Sequence, residues 1–390
     1  MKNVHEIRGR KYRAISLFSG AMGLDLGVEA AGFDIRLFVD YDKACIETIK
    51  ANRPNANAVL GDLSVMKSDE LLKLSGLKKG EADLIFGGPP CQSFSTAGKM
   101  RSFKDPRGSL VLNYVRFINE IRPTAFIFEN VKQFKFISTE ATPTGAGVSR
   151  TTFDYVKKKF ESYGYALTCG IFNAADYGVP QKRERLFIIG TLRRPGVIPP
   201  APTHSEDGSI GKRWLTLGEA IRNIKNNSEG ETHKGDRMKY LKLIPAGGNW
   251  KSLPPKLQKE AMGKKLKLGG GKTGFFRRLS MDKPAPTLCT SPTHPGTNMC
   301  HPTELRPLSI NEYKALQQFP KSWKFVGSIA QKYRQIGNAV PVGLAYAMAN
   351  SVKDNLDGKV SGLQKYFAEK EPVKARATQS TILTHRAVRN

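Results

Sequence analysis

Residues 83–95 read DLIFGGPPCQSFS, and the succession of residue types there decides the fold. Leu84 to Phe86 is an apolar run that gives way at once to two glycines, two prolines and a cysteine, the pattern of a buried strand ending in a rigid turn. Pro89 and Pro90 fix φ and remove two backbone donors, while Gly87 and Gly88 allow a ligand close to the main chain. A free cysteine is ordinarily a small buried hydrophobe. Cys91, however, follows a strand, has the polar neighbours Gln92, Ser93 and Ser95, and precedes a loop containing Gly98 and Gly108. An accessible thiol beside a segment that moves is therefore expected.

Strand ends of related character occur upstream. Ala14 to Phe18 is a short apolar strand running into Ser19-Gly20-Ala21-Met22-Gly23 and then the helical pattern Leu24, Leu26, Val28, Ala31. Its glycines let the turn pass near a ligand, and the helix offers free N–H groups. The next strand, Ile35 to Val39, ends in Asp40-Tyr41-Asp42, where a carboxylate suits ribose hydroxyls and an aromatic ring could stack on adenine. A third, Ala58 to Leu60, ends in Gly61-Asp62-Leu63, with a carboxylate able to accept from an adenine amino group. One such carboxylate reads as a helix cap. Three in series read as an adenosine pocket at the carboxyl edge of a parallel sheet in an α/β fold.

Downstream, Leu110 to Ile121 is an amphipathic helix, and the strand Ala125 to Phe128 ends in Glu129-Asn130-Val131. Glu129 is a candidate acid on the edge that carries Cys91, with capping as the plain alternative. A helix over Thr151 to Tyr163 and a β-like segment, Ala166 to Phe172, lead to Gln181-Lys182-Arg183-Glu184-Arg185 and the apolar strand Leu186 to Ile189. Guanidinium groups fixed just before a buried strand suit carbonyl or phosphate oxygens.

Composition points to the partner. Across 390 residues, 62 Lys and Arg stand against 34 Asp and Glu, a formal net charge of +28 that suits a polyanion such as nucleic acid. The five cysteines, Cys45, Cys91, Cys169, Cys289 and Cys300, form no CxxC pair and suggest neither a disulfide framework nor a zinc site. No apolar run has the length of a membrane span, and the N-terminus lacks the apolar core of a secretion signal. A soluble protein is expected, cytoplasmic and associated with the nucleoid through DNA.

With Pro90-Cys91-Gln92, Glu129-Asn130-Val131 and Gln181 to Arg185 in that order, the chain resembles the DNA (cytosine-5) methyltransferases of bacterial and phage restriction-modification systems. The Phe18 to Gly23 turn, Asp40, Asp62, the helix after Arg107-Gly108-Ser109-Leu110, and Gln335 to Pro341 also fall where that family has them. The resemblance spans Ile15 to about Met348, apart from one variable segment. It implies a Rossmann-like, S-adenosylmethionine-dependent α/β sheet with a second, smaller target-recognition domain. The expected divisions are a catalytic and cofactor-binding domain over 1–200, target recognition over 201–325, a return to the catalytic domain over 326–355, and a basic tail over 356–390.

The resemblance also implies roles. Cys91 attacks carbon 6 of cytosine, Glu129 holds or protonates ring nitrogen 3, Arg185 grips the base O2, and Arg183 lies beside it near the phosphate or the cysteine; no metal is required. The methyl donor falls to Phe18, Gly20, Gly23, Asp40, Tyr41, Asp62, Leu63, Pro89, Leu110, Asn338 and Val340. Asp40 and Tyr41 depart from the family, which usually places a glutamate and often a tryptophan there. The base must leave the duplex, so the loop from Gln92 to about Arg107 is expected to close over it. In that loop Gln92, Ser95, Lys99, Arg101 and Lys104 are candidate DNA contacts, joined from the variable segment by Lys272, Thr273, Arg277, Arg278 and Thr287. A monomer is expected on double-stranded DNA, with room for a cognate restriction endonuclease acting separately. Two other readings stand beside this one: a transfer-RNA cytosine-5 methyltransferase, and a catalytically inactive DNA-binding module. Amino-methylating enzymes fit less well, because they place an Asp or Asn before the proline pair, whereas here the pair precedes Cys91.

Overall fold

The computed structural model describes residues 11–90, 108–136, 151–224, 229–233, 235–267 and 272–359. The expected Rossmann-like α/β sheet is present. Its strands are β1 (Tyr12–Leu17), β2 (Phe33–Asp40), β3 (Ala58–Leu60), β4 (Leu84–Gly87), β5 (Ala125–Val131), β6 (Ala166–Asn173) and β8 (Glu184–Thr191); β7 (Gln181–Lys182) pairs outside it with Ala285–Pro286. The order across the sheet is β3-β2-β1-β4-β5-β8-β6. The first five strands are parallel, and β8 runs antiparallel to both β5 and β6.

Both faces are covered, which is why the central strands read as unbroken apolar runs. Side chains alternate between the two: Ile85, Phe126, Phe128 and Ile188 join one core, while Leu84, Phe86, Ala125, Ile127, Phe187 and Ile189 join the other. The first face is covered by α3 (Ser68–Ser75), α4 (Gly108–Ile121) and α5 (Thr152–Ser162) through Leu71, Val111, Ile118, Val156 and Phe160. On the second lie α1 (Gly23–Ala30) and α11 (Val342–Leu356), contributing Leu24, Val28, Leu344, Met348 and Val352. The last helix among the described residues therefore returns to the first helix of the fold. α11 reaches Leu356, where the tail was expected to begin; residues 360–390 lie outside the described residues.

A third core joins α1 and α2 (Lys43–Asn52) to α6 (Leu217–Ile221), α9 (Ile310–Leu316) and α10 (Ile329–Asn338) through Met22, Leu26, Ile46, Leu217, Tyr313, Tyr333 and Ile336. Within the expected target-recognition segment, a smaller cluster of its own gathers around α7 (Arg237–Leu241) and α8 (Pro255–Met262), built from Tyr240, Ile244, Leu253, Leu257 and Phe276. Among the described residues, no helix is long and apolar enough to cross a membrane.

Candidate active site

The antiparallel setting of β8 brings its first residues to the edge where β1, β2, β4 and β5 end. Arg185 lies opposite Val131, and Glu129 opposite Phe187. There Arg185 Nε meets Glu129 Oε1 at 3.0 Å, with both side chains only 12% exposed. Burial raises the Glu129 pKa, and the Arg185 and Arg183 charges oppose the shift without cancelling it. The raised pKa favours the protonated carboxyl, the form that can donate to a ring nitrogen.

The turn after β4 is built around that carboxyl. A Cβ on Gly88 would stand 2.5 Å from Glu129 Oε2, so only glycine leaves the acid its place. Asn130, buried beside Glu129, donates from Nδ2 to the Pro89 carbonyl at 3.0 Å and accepts from the Val131 N–H at 2.9 Å. The proline turn is thus tied to the strand that carries the acid. Cys91, Gln92, Ser95, Lys99 and Arg101 lie outside the described residues, as does the expected lid over residues 92–107.

Arg183 is fully buried. It donates to the Leu288 carbonyl at 2.9 Å and the Gly337 carbonyl at 2.7 Å, and its Nε has no hydrogen-bond partner among the described residues. Burial and the like charge of Arg185 lower its pKa. The structure therefore ties Arg183 to the backbone behind the edge, while Arg185 faces Glu129.

On the other half of the edge, the first glycine turn is strained and clamped. Phe18 and Met22 hold φ of 57° and 72°, left-handed conformations that cost an L-residue about 1–2 kcal/mol each. Gly20 has φ 55° and open space above its Cα. Its N–H donates to Asp40 Oδ2 at 2.7 Å, and the Asp42 N–H donates to Asp40 Oδ1 at 2.8 Å. Asp40 is buried, which raises its pKa against the lowering effect of those two N–H donors. Tyr41 beside it is 73% exposed, and Asp62 is an exposed carboxylate accepting from the Ser64 N–H at 2.8 Å. Leu63 is buried in the first core, against which Phe18 and Leu110 also pack. Gly23 abuts α10's exit: a Cβ there would meet the Val340 carbonyl at 2.5 Å and the Ala339 Cβ at 2.7 Å, placing Ala339 and Val340 against the glycine turn, just after the exposed Asn338. Arg334 of α10 reaches Asp42 at 2.9 Å.

The strained turn carries an open glycine, and the strand ends and helix exit of this half of the edge add an exposed aromatic ring at Tyr41, an exposed carboxylate at Asp62 and an exposed amide at Asn338. That donor set fits an adenosine-bearing cofactor.

The expected DNA contacts divide. Thr273 is exposed. Arg277 Nε is bonded to the Asn298 carbonyl at 3.1 Å, and Arg278 is bonded through Nε to the Pro302 carbonyl at 2.9 Å and through Nη1 to the Ile244 carbonyl at 3.2 Å. Thr287 Oγ1 donates to the Lys182 carbonyl at 2.9 Å, and Lys272 Nζ to the Leu266 carbonyl. Lys272, Arg277 and Arg278 thus hold the fold of their own segment, and Thr287 ties that segment to β7. Gly88, read from the sequence as room for a ligand, makes room instead for the Glu129 carboxyl, and Asn130, given no role of its own there, ties the proline turn to β5; its place beside the candidate acid is the signal that points to it. Among the described residues, no group of three or more His, Cys, Asp or Glu could hold a metal.

At one half of the carboxyl edge of this Rossmann-like sheet lies the open glycine turn, and at the other the buried Glu129–Arg185 pair. The family model for C-5 cytosine-specific DNA methylase matches residues 12–354. The Type II methyltransferase M.PspPI of Psychrobacter sp. is 39% identical over 354 residues, covering 88% of this chain and 79% of that protein. M.Eco47II of Escherichia coli, also a Type II methyltransferase, is 37% identical over 355 residues, 90% of this chain and 81% of that one. Among solved structures, the Entamoeba histolytica methyltransferase EhMeth superposes with a TM-score of 0.60 at 16% identity, over 89% of this chain and 99% of that one, a likeness of fold. The chain belongs to the C-5 cytosine-specific DNA methylase family, and it is a DNA (cytosine-5) methyltransferase of the Type II restriction-modification kind.

Proposed function

We propose that the chain takes its methyl group from S-adenosylmethionine and delivers it to carbon 5 of a cytosine flipped out of a specific duplex sequence, through a covalent adduct at Cys91. The Glu129–Arg185 pair against Gly88 carries this reading, because it sets a carboxyl and a guanidinium beside the turn from which the chain runs on to Cys91. Carbon 5 of cytosine is a poor nucleophile. Addition of the Cys91 thiolate to carbon 6 breaks the 5,6 double bond, and a proton from Glu129 on ring nitrogen 3 keeps charge from building up, so carbon 5 becomes the terminus of an enamine. After alkylation, loss of the carbon 5 proton to water re-forms the double bond and expels the thiolate, and ring nitrogen 3 returns its proton to Glu129.

Bound S-adenosylmethionine supplies an electrophilic methyl carbon on a sulfonium sulfur. Gly20, Gly23 and Val340 shape its cradle, Tyr41 offers a ring to the adenine, Asp62 accepts from the adenine amino group, and Asn338 closes the rim. Asp40 already accepts one N–H on each oxygen, so any ribose contact uses its remaining lone pairs. Phe18, Leu63, Pro89 and Leu110 complete the surround. Arg185 holds the base O2. Thr273 is the described candidate for a direct DNA contact, and the segment around α7 and α8 is the part of residues 201–325 that serves target recognition.

Bisulfite sequencing of DNA from cells expressing the protein tests the reading and returns the recognised sequence. Cytosine protection confined to one motif is the expected result, and no protected cytosine overturns it. On that motif, a duplex carrying 5-fluorocytosine should leave a stable adduct at Cys91 by peptide mass mapping, with none in Cys91→Ala; an active enzyme that forms no adduct would refute the covalent route.

A further inference from the structure

Behind the carboxyl edge, four separate stretches of chain meet in a closed ring of buried hydrogen bonds. Gln181 and Gln317 are both fully buried, and Gln181 Nε2 donates to Gln317 Oε1 at 3.0 Å. Gln317 Nε2 donates onward to the Ile336 and Ala339 carbonyls at 2.6 and 3.0 Å, at the end of α10. On the other side, Gln181 Oε1 accepts from the Leu288 N–H at 3.0 Å. Arg183 closes the ring by donating to the Leu288 and Gly337 carbonyls. The amide orientations are fixed by the partners: turning Gln317 over would aim its oxygen at two carbonyl oxygens.

The ring touches both halves of the site. Its α10 side ends at Ala339 and Val340, which abut the glycine turn at Gly23. Its β8 side ends at Arg185, two residues from Arg183 and paired with Glu129. Breaking a buried polar ring is costly, because each group cut loose stays buried without a partner, as Arg183 Nε already is among the described residues. Its four segments therefore order together, and a ligand that orders one side has met part of the cost of ordering the other.

We propose that Gln317 is a positioning residue through which the donor pocket and the grip on the target base are coupled, so that each ligand binds more tightly when the other is present. The inference rests on assigning the Gly20 turn to the donor and Glu129 with Arg185 to the base.

The test is calorimetric titration of S-adenosylhomocysteine into the free enzyme and into the enzyme bound to its recognised duplex. Wild type should bind about tenfold more tightly in the presence of DNA. In Gln317→Met, which keeps the volume and loses the ring, and in Gln317→Asn, which keeps the amide and loses its reach, that factor should fall below about twofold. Hydrogen exchange at residues 336–340 should slow on DNA binding in wild type and not in either variant. Gln318→Met is the control: Gln318 bonds the Gly178 carbonyl at 2.8 Å and the Gly343 N–H at 3.0 Å, outside the ring, so its loss should lower the melting temperature and leave the coupling factor intact. A wild-type factor near one, a wild-type factor retained in both Gln317 variants, or equal loss of coupling in Gln318→Met overturns the inference. So does failure of both Gln317 variants to fold while Gln318→Met folds, which would make Gln317 purely structural. Methyl transfer by the same wild-type preparation separates the two readings: turnover without coupling sinks only this inference, and an enzyme that neither binds the donor product nor methylates DNA sinks both.

Discussion

Gly88→Ala exchanges one hydrogen for a methyl group where the proline turn meets the acid. The new Cβ would lie 2.5 Å from Glu129 Oε2, where ordinary contact begins at 3.4 Å, so the carboxyl must retreat by roughly 0.9 Å. Gly88 has no positive φ, so alanine fits the backbone, and the obstructing atom is the end of a rotatable side chain. The cost to folding is then that of an off-rotamer glutamate, about 1 kcal/mol. The cost to catalysis is larger, because displacing a reacting group by about 1 Å lowers rate by about 10²-fold. Single-turnover transfer of a labelled methyl group to the recognised duplex should slow by about that factor. Donor affinity should stay at the wild-type value and the melting temperature within about 3 °C of it. A variant methylating within about threefold of wild type would show that the turn does not fix the acid, and the argument from Gly88 would fail.

Asn130→Ala removes the donor to the Pro89 carbonyl and should cost about 1–3 kcal/mol in urea unfolding, with a rate loss of at least about tenfold; Asn130→Asp, which sets a carboxylate oxygen against that carbonyl, should be worse, and wild-type turnover in either would refute the tie. Asp25 in the first turn of α1 is fully buried, neither of its oxygens has a hydrogen bond of good geometry, and burial raises its pKa from 3.8 to about 8, with Glu29 and Asp40 adding to the rise and the nearby Ser16 hydroxyl offsetting part of it. Because the folded pKa is the higher, its contribution to stability is greatest below pH 3.8 and is lost as pH rises through about 8, a decline of about 1.4 kcal/mol per pH unit that amounts to about 4 kcal/mol by pH 7. Asp25→Asn should therefore melt progressively higher than wild type between pH 5 and pH 8, and a difference independent of pH would show that Asp25 does not titrate there.

The parts of the site legible in the sequence are those whose meaning is local. Leu84 to Phe86 had to be a strand covered on both faces because every residue in it is apolar, and the structure divides them between two cores. Asp40, Asp62 and Glu129 were readable because each stands where an apolar run stops, and strand ends of a doubly covered sheet fall on one edge. The direction of β8 was not readable, since Leu186 to Ile189 is equally apolar whichever way it runs. Yet that direction is what carries Arg185 to the edge and lays it against Glu129.

Residues whose role depends on distant partners escaped for the same physical reason. Arg277 and Arg278 have the chemistry of phosphate contacts, but their segment has little regular secondary structure, and the carbonyls of Ile244, Asn298 and Pro302 need donors that no helix or strand supplies. Folding takes those guanidinium groups first. Gln317 stands at the C-terminal end of α9 as one more polar residue, and its partner Gln181 lies 136 residues away. A long basic segment should accordingly be searched for DNA readers among side chains that no backbone carbonyl has claimed. In the described part of this one, exposed Thr273 meets that condition while its neighbour Lys272, bonded to the Leu266 carbonyl, does not. Thr273→Ala should then weaken binding to the recognised duplex more than to an unrelated one, because a side chain that reads bases affects one sequence and a side chain that meets phosphates affects all of them.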